Sequence, residues 1–390
     1  AFSQEAVKEK AQPTEADREA ALPDSVESRD EDGRVVIRAM RVTEPLRIDG
    51  TLDETVYSRV PPITGFIQQV PDNGAPVTEK TEMWVLFDDD NIYISCRLWD
   101  AQHDRIVDND IRRDSNNLNQ QDRCDFQLDT LHDKRSGYLF TVTPLGGMRD
   151  GASLDEVPNF DWNAVWAARA TRSDKGWITE SAVPFKSLRY QSGRVQTWGI
   201  QLRRIIRSKN EAAFITPMSA AGGNVAINRM SEAATLVGIE VPPAGRNLDI
   251  KPYAISRVTT DLLSTPNTRN DFDPDGGIDV KYGVTKSMTA SFTYRTDFAE
   301  AEADVAHVNL TRFSLFFPEK REFFLEGQGL FDFAGGGGSE NGLAPRLFYS
   351  RRIGLNGSRV VPVIGGARVA GRAGAWSVGA LNMETDDDRA

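Results

Sequence analysis

The stretch Thr81–Asp100, TEMWVLFDDDNIYISCRLWD, decides the fold, because it reads as two strands joined by a tight acidic turn. Apolar residues occupy both faces of the first strand, which predicts burial on both sides. The second strand alternates, and one face carries Ile92, Ile94, Cys96 and Leu98. The turn Asp88–Asn91 suits Asp and Asn, which tolerate left-handed backbone and bond their own chain. A hairpin this apolar needs a second sheet to cover it, so the stretch predicts a β-sandwich.

The chain around this hairpin contains further short strands at the spacing of a sandwich. They are predicted at 35–40, 123–130, 138–143, 165–171, 176–184 and 197–206, with a short helical turn from Asp53 to Val60. Residues 35–241 are therefore predicted to form one antiparallel β-sandwich domain. Residues 1–34 are rich in charged residues and alanine without an apolar face, which predicts a flexible N-terminal arm.

Longer strands follow the linker Val241–Gly245, and they are predicted at 247–260, 277–284, 287–298, 363–372 and 375–383. Alternation over about ten residues, with short turns at one end and longer polar loops such as 263–274 and 335–341, is typical of an outer-membrane β-barrel. We therefore predict an all-β chain in which residues 246–390 are antiparallel outer-membrane-type barrel strands in contact with lipid. A second soluble sandwich is the alternative.

Composition and net charge limit the kinds of partner and environment that suit this chain. The net charge of −11 argues against nucleic acid. No apolar run approaches the ~20 residues of a membrane helix. The two cysteines, Cys96 and Cys124, are predicted to be small buried apolar residues, and the alternative is a disulfide suited to an oxidising periplasm. The chain begins at Ala1 without Met, from which we expect a removed signal peptide or a trimmed start.

Four ordered motifs carry a resemblance to a known family. They are Ile48–Glu54 (IDGTLDE), the acidic-turn hairpin, Gln121–Asp129 (QDRCDFQLD), and Gly176–Glu180 (GWITE) closing on Pro184-Phe185. Together they resemble the carbohydrate-binding modules of family 9. The resemblance implies a β-sandwich and a sugar-binding role.

The chain departs from that family at the two places where sugar-binding members hold a ring between tryptophans. The first is Asn119, before Gln120-Gln121-Asp122, and the second is the loop Asn224–Met230, which holds no aromatic residue. Stacking a sugar on an aromatic ring is a main source of affinity in such sites. The resemblance therefore supports the fold more strongly than it supports the ligand.

The second half carries another resemblance, on Asn309–Gly327 (NLTRFSLFFPEKREFFLEG) and Leu347–Gly354 (LFYSRRIG). It resembles an outer-membrane barrel family of unknown role that follows such sandwiches in Gram-negative bacteria. This implies the outer membrane, with the sandwich periplasmic or on the surface. Barrels of that family are longer than the stretch from Arg246, and Glu384–Ala390 resembles the start of a loop, so we expect an incomplete barrel.

Candidate saccharide-binding residues are aromatic platforms and donors to sugar hydroxyls. The aromatic side chains could instead belong to the core. The candidates are Trp162 and Trp166 as the best exposed aromatics, with Trp99, Arg97, Arg112, Arg113, Asn119 and Gln121.

Carboxylates in the loop after the hairpin could bind Ca²⁺, which takes six to eight oxygen ligands. The candidates are Asp104, Asp108 and Asp110, and a solvated acidic loop is the alternative. No other cofactor is predicted, and three dispersed histidines argue against a zinc site or a Ser-His-Asp triad.

The sequence thus predicts an outer-membrane protein, more a binding protein than an enzyme, whose sandwich binds or admits saccharides. One alternative is a structural plug or docking module without sugar affinity, and Pro318–Arg321 could itself be a polar plug or a turn. The other is a component of a polysaccharide hydrolase. Its carboxylate pair would be Asp125 and Glu180, although strand alternation predicts that these are cross-strand partners rather than a cleft pair.

Overall fold

A computed structural model describes residues 25–160, 162–191, 193–242, 248–261, 268–285, 288–295, 319, 321–325, 330–331, 348–356, 359–373 and 376–386. In residues 25–242 it contains fifteen strands: β1 (Glu27–Arg29), β2 (Val35–Arg38), β3 (Met40–Arg41), β4 (Ile67–Val70), β5 (Thr81–Phe87), β6 (Asn91–Trp99), β7 (Arg123–Asp129), β8 (Ser136–Val142), β9 (Met148–Leu154), β10 (Val157–Asn159), β11 (Ala167–Ser173), β12 (Gly176–Pro184), β13 (Val195–Ile206), β14 (Glu211–Phe214) and β15 (Ala234–Glu240).

These strands form two sheets. Sheet I has the order β1-β2-β15-β13-β7-β8-β9-β10, and β14 joins β13 to β4. Sheet II has the order β11-β12-β6-β5-β3. Pairing is antiparallel except for β15 with β2 and β3 with β5. The predicted antiparallel sandwich is therefore confirmed in outline. The two parallel pairs involve β2 and β3, which lie near the start of the domain.

The hairpin prediction is confirmed. β5 pairs with β6 from Thr81 opposite Leu98 to Phe87 opposite Ile92, and every residue of β5 is buried. In the turn, Oδ1 of Asp88 accepts the backbone N–H groups of Asp90 and Asn91 at 2.8 and 2.7 Å. The acidic turn therefore closes on its own side chain, as Asp does in such turns.

The main core lies between the two sheets. Val85, Ile94 and Leu98 of sheet II belong to the same apolar cluster as Phe126 and Leu202 of sheet I. Burying each such side chain contributes about 1.5–3 kcal/mol. In the same core the free thiols of Cys96 and Cys124 meet, with their Sγ atoms 2.9 Å apart. The prediction of two buried cysteines is confirmed.

A second cluster covers the outer face of sheet II. The loop before α1 (Val56–Arg59) folds over Trp84 and Tyr93. Oε2 of Glu180 accepts the N–H groups of Asp49 and Gly50 at 3.1 and 2.9 Å, and Oε1 accepts the hydroxyl of Tyr57 at 2.9 Å. The IDGTLDE and GWITE motifs are thus joined by hydrogen bonds to the carboxylate of Glu180.

The start of the sandwich differs from the prediction. β1 pairs with β2 from Glu27 opposite Ile37 to Arg29 opposite Val35, so residues 27–29 belong to sheet I rather than to a flexible arm. The polar composition of the segment hid this, because Glu27 and Ser28 pair through the backbone. Residues 1–24 of the predicted arm lie outside the described residues.

Sheet III is formed by the second half of the chain. Its strands are β16 (Leu248–Asp261), β17 (Thr268–Thr285), β18 (Met288–Tyr294), β21 (Val363–Ala373) and β22 (Trp376–Thr385), paired in that order, while β19 (Leu355–Asn356) pairs with β20 (Arg359–Val360). These five antiparallel strands correspond to the five strands predicted from the sequence after the linker. Among the described residues no sheet closes on itself, so the barrel stays a prediction.

The loop predicted at 263–274 is partly wrong, because residues 268–274 extend β17 and pair with β16. The loop predicted at 335–341 lies outside the described residues. Helices are few, and α2 (Glu322–Leu325) is as short as α1. None of the helices in the described parts of the chain is long and apolar enough to cross a membrane.

The two faces of sheet III differ in an unusual way. In β18 the apolar side chains of Phe292 and Tyr294 are 50% and 53% exposed, whereas Ser291 and Thr293 between them are buried. A sheet that packs on an apolar core has the opposite pattern, with polar residues outside. The exposed face of sheet III is thus its apolar face.

Candidate functional site

The outer face of sheet I is polar and yet buried. In β7, Cys124, Phe126 and Leu128 point into the core, so Arg123 and Asp125 point to the opposite side. Both are almost completely buried, at 1% and 0% exposure. Buried charges require partners, so this face is expected to hold an organised network of polar side chains.

Asp125 is held by three donors. Its Oδ2 accepts Nε of Arg203 at 2.7 Å and Nε of Arg123 at 3.1 Å, and its Oδ1 accepts the hydroxyl of Thr141 at 2.6 Å. Burial raises the pKa of Asp125, but the charges of the two arginines and the Thr141 bond outweigh it, so the pKa is lowered overall. The carboxylate is therefore ionised and fixed between two strands.

A third arginine reaches the same face from β9. Arg149 is 4% exposed, its guanidinium lies 3.4 Å from the centre of the Phe160 ring, and its Nη2 donates to Oδ1 of Asn116 at 3.1 Å. No described residue accepts a hydrogen bond from its Nε or Nη1. Burial lowers the pKa of Arg149. Two buried N–H donors of Arg149 thus lack an acceptor among the described residues.

A fourth arginine, Arg207, lies at the edge of this face. Its Nη2 donates to the carbonyl of Asn119 and, at 3.3 Å, to Oε1 of Gln120. Its Nε has no acceptor among the described residues. We call Arg123, Arg149, Arg203 and Arg207 with Asp125 the arginine cluster.

Amide side chains and loop carbonyls surround the arginine cluster. Arg123 donates to the carbonyl of Asn119 at 2.5 Å and to Oδ1 of Asn224 at 3.2 Å, and Arg203 donates to the carbonyl of Asn224 at 2.7 Å. We call Asn116, Asn119, Gln120 and Asn224 the amide rim. Three of its members are exposed and Asn119 is half-buried. The rim is therefore accessible above buried arginines.

A small apolar cluster supports the segment that carries Asn224 of the amide rim. Phe214 of β14 packs with Met218 and Ile227, and the guanidinium of Arg203 lies 5.6 Å from the centre of the Phe214 ring. The 3₁₀ segment Ala220–Asn228 carries Asn224 across the face. Packing of this segment on Phe214 sets the position of the rim relative to the strands.

The predicted site residues divide among different places. Asn119 lies on the amide rim. Gln121 lies beneath it and is fully buried, with Nε2 donating to the carbonyl of Asp110 and Oε1 accepting the N–H of Asn109, both at 3.1 Å. Gln121 therefore holds the loop that precedes β7 and does not face solvent.

The two tryptophans predicted as exposed platforms belong to the core edge. Trp166 is buried, and its Nε1 donates to Oδ1 of Asp150 at 3.0 Å. Trp162 is half-buried, with its ring 4.8 Å from that of Tyr138. Arg113 also bonds to Asp150. The prediction of an exposed Trp166 is wrong, because the loop folds its ring onto Phe126 and Phe140.

Trp99 and Arg97 lie on the outer face of sheet II, away from the arginine cluster. Nε1 of Trp99 donates to Glu82 at 2.8 Å, and the guanidinium of Arg97 lies 5.4 Å from the centre of a ring of Trp84. Arg112 is exposed and forms a bidentate pair with Asp110. The structure therefore does not bring the predicted aromatic and basic residues into one site.

The three carboxylates proposed for Ca²⁺ have separate partners. Asp110 accepts from Arg112 and Ser115, Asp108 pairs with Arg172, and Asp104 lies in solvent beside His103. The described residues contain no group of three or more His, Cys, Asp or Glu side chains that could hold a metal. The three carboxylates do not converge on one point, because Asp108 and Asp110 are held by different arginines and Asp104 lies in solvent.

The hydrolase pair is also separated. Asp125 lies opposite Arg203 and Thr141 in sheet I, whereas Glu180 lies opposite Arg169 and Ser95 in sheet II. The prediction that they are cross-strand partners is wrong, because they belong to different sheets. Each points away from the core, so the two carboxylates do not face one cleft.

Sequence reasoning missed most of the arginine cluster. The signal was present in RCDFQLD, where Arg123, Asp125 and Gln127 form the face opposite to Cys124, Phe126 and Leu128. A charged face on a central strand is unusual and indicates a covered polar network. Arg149 and Asn224 gave no local signal, since their placement depends on which strands are neighbours.

Comparisons with known families cover both halves of the chain. Residues 48–213 match the family described as carbohydrate family 9 binding domain-like. Residues 243–363 match a domain of unknown function (DUF5916). The first match supports the resemblance seen in the four motifs, and it includes the whole arginine cluster and the rim residues 116–120.

Solved structures give a weaker likeness. A family 9 carbohydrate-binding module from Caldicellulosiruptor kristjanssonii in complex with glucose is 13% identical, with a TM-score of 0.37, over 54% of this chain and 97% of that one. A putative carbohydrate-binding protein from Bacteroides uniformis is 10% identical, with a TM-score of 0.41, over 52% and 98%. No curated protein matches the chain significantly.

Proposed function

We propose that the sandwich binds a saccharide at the amide rim above the arginine cluster. One observation carries this proposal. Asn119 and the loop Asn224–Met230 stand at the two places where the family resemblance puts sugar-stacking tryptophans, and both contact the side chain of Arg123. The two stretches, distant in sequence, therefore border one surface.

The chemistry of this surface suits sugar hydroxyls. Amides donate and accept, and guanidinium groups donate in fixed directions. Arg123 and Arg203 beneath the rim are held by Asp125, so little of their side-chain entropy is lost when a ligand binds. Phe160 supplies an aromatic ring at the same edge, although Arg149 lies on one of its faces. Binding here depends on hydrogen bonds more than on stacking.

Calorimetric titration of the full chain against a panel of oligosaccharides tests the proposal. We expect heat with at least one saccharide, and about tenfold weaker binding for Asn224→Ala, because one good hydrogen bond contributes about 1.4 kcal/mol. Gln102→Ala, an exposed amide in the loop after β6, is the matched control and should bind as the unchanged protein does. No heat with any saccharide would remove the proposal.

We further propose that residues 246–390 are strands of an outer-membrane β-barrel, with the sandwich in the periplasm or on the cell surface. The exposed apolar face of sheet III supports this. In addition to Phe292 and Tyr294, this face exposes Leu248, Ile250 and Val378, whereas Arg368 of β21 is buried on the polar face. Apolar side chains toward lipid and polar ones inward is the barrel pattern.

Insertion of the full chain into lipid vesicles tests the barrel proposal. Phe292→Arg should cost about 2–4 kcal/mol at the middle of a bilayer and reduce the inserted fraction severalfold. Phe292→Leu keeps the side chain apolar and should insert normally. If the arginine variant inserts as well as the leucine variant, Phe292 does not face lipid.

A second candidate, a plug, is favoured by the segment around α2. Arg321 forms a bidentate pair with Glu319 at 2.7–2.8 Å, and both are buried. Arg321 also donates to the carbonyl of Ser350 at 2.7 Å. Phe323 lines a small cavity with Lys281 and Ser291 on the polar face of sheet III. This segment would fill the interior of a closed barrel.

Conductance in planar bilayers tests the plug. Arg321→Gln breaks the buried pair and should raise the conductance of the full chain if the segment blocks the pore. Arg352→Gln, an exposed arginine of the same region, is the control. Equal conductance of the two variants and the unchanged protein would count against a plug.

A further inference from the structure

The charge of the arginine cluster is the observation to be explained. Four guanidinium groups carry +4 and Asp125 carries −1, which leaves +3 in a chain of net charge −11. Two other carboxylates act on the cluster through their charge, Asp114 on Arg149 and Asp122 on Arg207. Each also has a partner of its own, since Asp114 pairs with Arg113 and Asp122 accepts the N–H of Val107. Buried charge of one sign requires compensation, because burial without a partner costs several kcal/mol.

Among the residues that the structure describes, the compensation of this charge is incomplete. The oxygens that face the arginines at the rim are neutral: the carbonyls of Asn119 and Asn224, and the amide oxygens of Asn116, Gln120 and Asn224. Nε and Nη1 of Arg149 and Nε of Arg207 have no acceptor in the described parts of the chain. Among the described residues, the guanidinium donors thus outnumber their acceptors, and the acceptors at the rim carry no charge.

We propose that the preferred ligand at this surface is an acidic saccharide whose uronate carboxylate binds the arginine cluster. The inference rests on the proposed saccharide function and names its ligand class. A carboxylate matches the planar fork of a guanidinium and forms charge-assisted bonds about twice as strong as neutral ones. A neutral sugar can offer the same arginines only hydroxyl oxygens.

The amide rim is the part of this surface that solvent reaches. Asn224 is exposed, and it follows Gly223, whose φ is +51°. Its amide oxygen and carbonyl accept from Arg123 and Arg203, so Asn224 lies beside the guanidinium groups, and its amide NH₂ can donate to the uronate carboxylate. Arg207 is half-buried at the same edge and gives the entering anion a first contact.

The experiment compares two ligands that differ at one group. The full chain is titrated with trigalacturonate and with galactotriose, which have a carboxylate and a hydroxymethyl group at the same carbon. We expect the acid to bind at least tenfold more tightly at low salt, and the ratio to fall at high salt because the contact is ionic. Equal affinities, or a ratio that salt does not change, would overturn the inference.

Variants locate the effect. Arg149→Gln and Arg207→Gln should lower the affinity for trigalacturonate by tenfold or more and that for galactotriose by less than about threefold, because glutamine still donates to hydroxyl oxygens but carries no charge. Arg97→Gln, on the outer face of sheet II, is the matched control. Equal losses for both ligands would mean that the arginines contact hydroxyls and not a carboxylate.

Each outcome separates the two proposals. Binding of galactotriose alone overturns the acidic ligand and leaves saccharide binding in place. Binding of neither sugar overturns the acidic ligand, and absence of heat across the wider panel then removes saccharide binding too. If Arg149→Gln does not fold, which tryptophan fluorescence will report, Arg207→Gln and the two ligands on the unchanged protein still decide.

Discussion

Replacing Asp125 by Asn probes the buried network under the amide rim. The carboxylate accepts from Arg203, Arg123 and Thr141, and all but the hydroxyl are charged donors. An amide of the same shape keeps one acceptor oxygen but removes the negative charge, and its NH₂ would face an arginine or the threonine. Hydrogen bonds to charged groups contribute about 1.5–3 kcal/mol each. Breaking a buried ion pair costs about 3–5 kcal/mol because charge is left without compensation.

We therefore expect Asp125→Asn to lower the free energy of unfolding by about 3–5 kcal/mol. Asp155→Asn is the control, since Asp155 forms a bidentate pair with Arg135 on the surface, where both side chains are more than half exposed. A surface pair contributes about 0–1 kcal/mol.

Urea unfolding of the full chain at neutral pH, followed by tryptophan fluorescence, measures both variants. Six of the seven tryptophans lie between residues 84 and 198, so the signal reports the sandwich. A loss below about 1 kcal/mol for Asp125→Asn, or equal losses for the two variants, would refute the view that this carboxylate anchors the arginines.

Three further predictions concern the rest of the sandwich. Tyr57→Phe removes a buried donor to Glu180 and should lower the free energy of unfolding by about 1–3 kcal/mol in the same urea assay. An unchanged midpoint would contradict a stabilising role for the Glu180 hydrogen bonds. Burial raises the pKa of Asp122 to about 6, so the folded state holds a proton between pH ~4 and ~6 that the unfolded state releases. Stability from this group is present at low pH and is lost as pH rises through that window. The stability of Asp122→Asn relative to the unchanged protein should therefore rise by about 2 kcal/mol from pH 4 to pH 7, and a difference independent of pH would disprove this. Mild oxidation should form a disulfide between Cys96 and Cys124, so that thiol titration detects two fewer thiols. The disulfide should raise the free energy of unfolding by about 3–4 kcal/mol, and a reductant should reverse this gain. If both thiols survive oxidation after a cycle of unfolding, this prediction is wrong.

Local patterns in the sequence predict the sandwich well. The alternation in Thr81–Asp100 places side chains on the correct faces of β5 and β6, because successive residues of a strand point to opposite sides. The acidic turn is specified by its own side chains. Glu27–Arg29 was missed because a short polar edge strand pairs through its backbone and leaves no mark in hydropathy.

The candidate site was harder to predict. Asn119 and the loop Asn224–Met230 were found through the family resemblance, and the structure joins both to Arg123. Trp166 was misplaced because an aromatic residue in a polar loop looks exposed until the loop folds back onto the core. Arg97 and Trp99 were misassigned for another reason: alternation shows that they leave the core but does not show which sheet carries the site.

Strand positions, the turn and the apolar faces follow from interactions between residues close in the chain, and the printed sequence was enough to derive them. The arginine cluster depends on the order β13-β7-β8-β9, which brings residues 123, 149 and 203 to one face although they are far apart in sequence. Strand order is a property of long-range pairing, and many orders are compatible with the same alternation. The tertiary structure therefore determined the candidate site, by placing Arg123, Arg149, Arg203 and Arg207 with Asp125 under one polar rim.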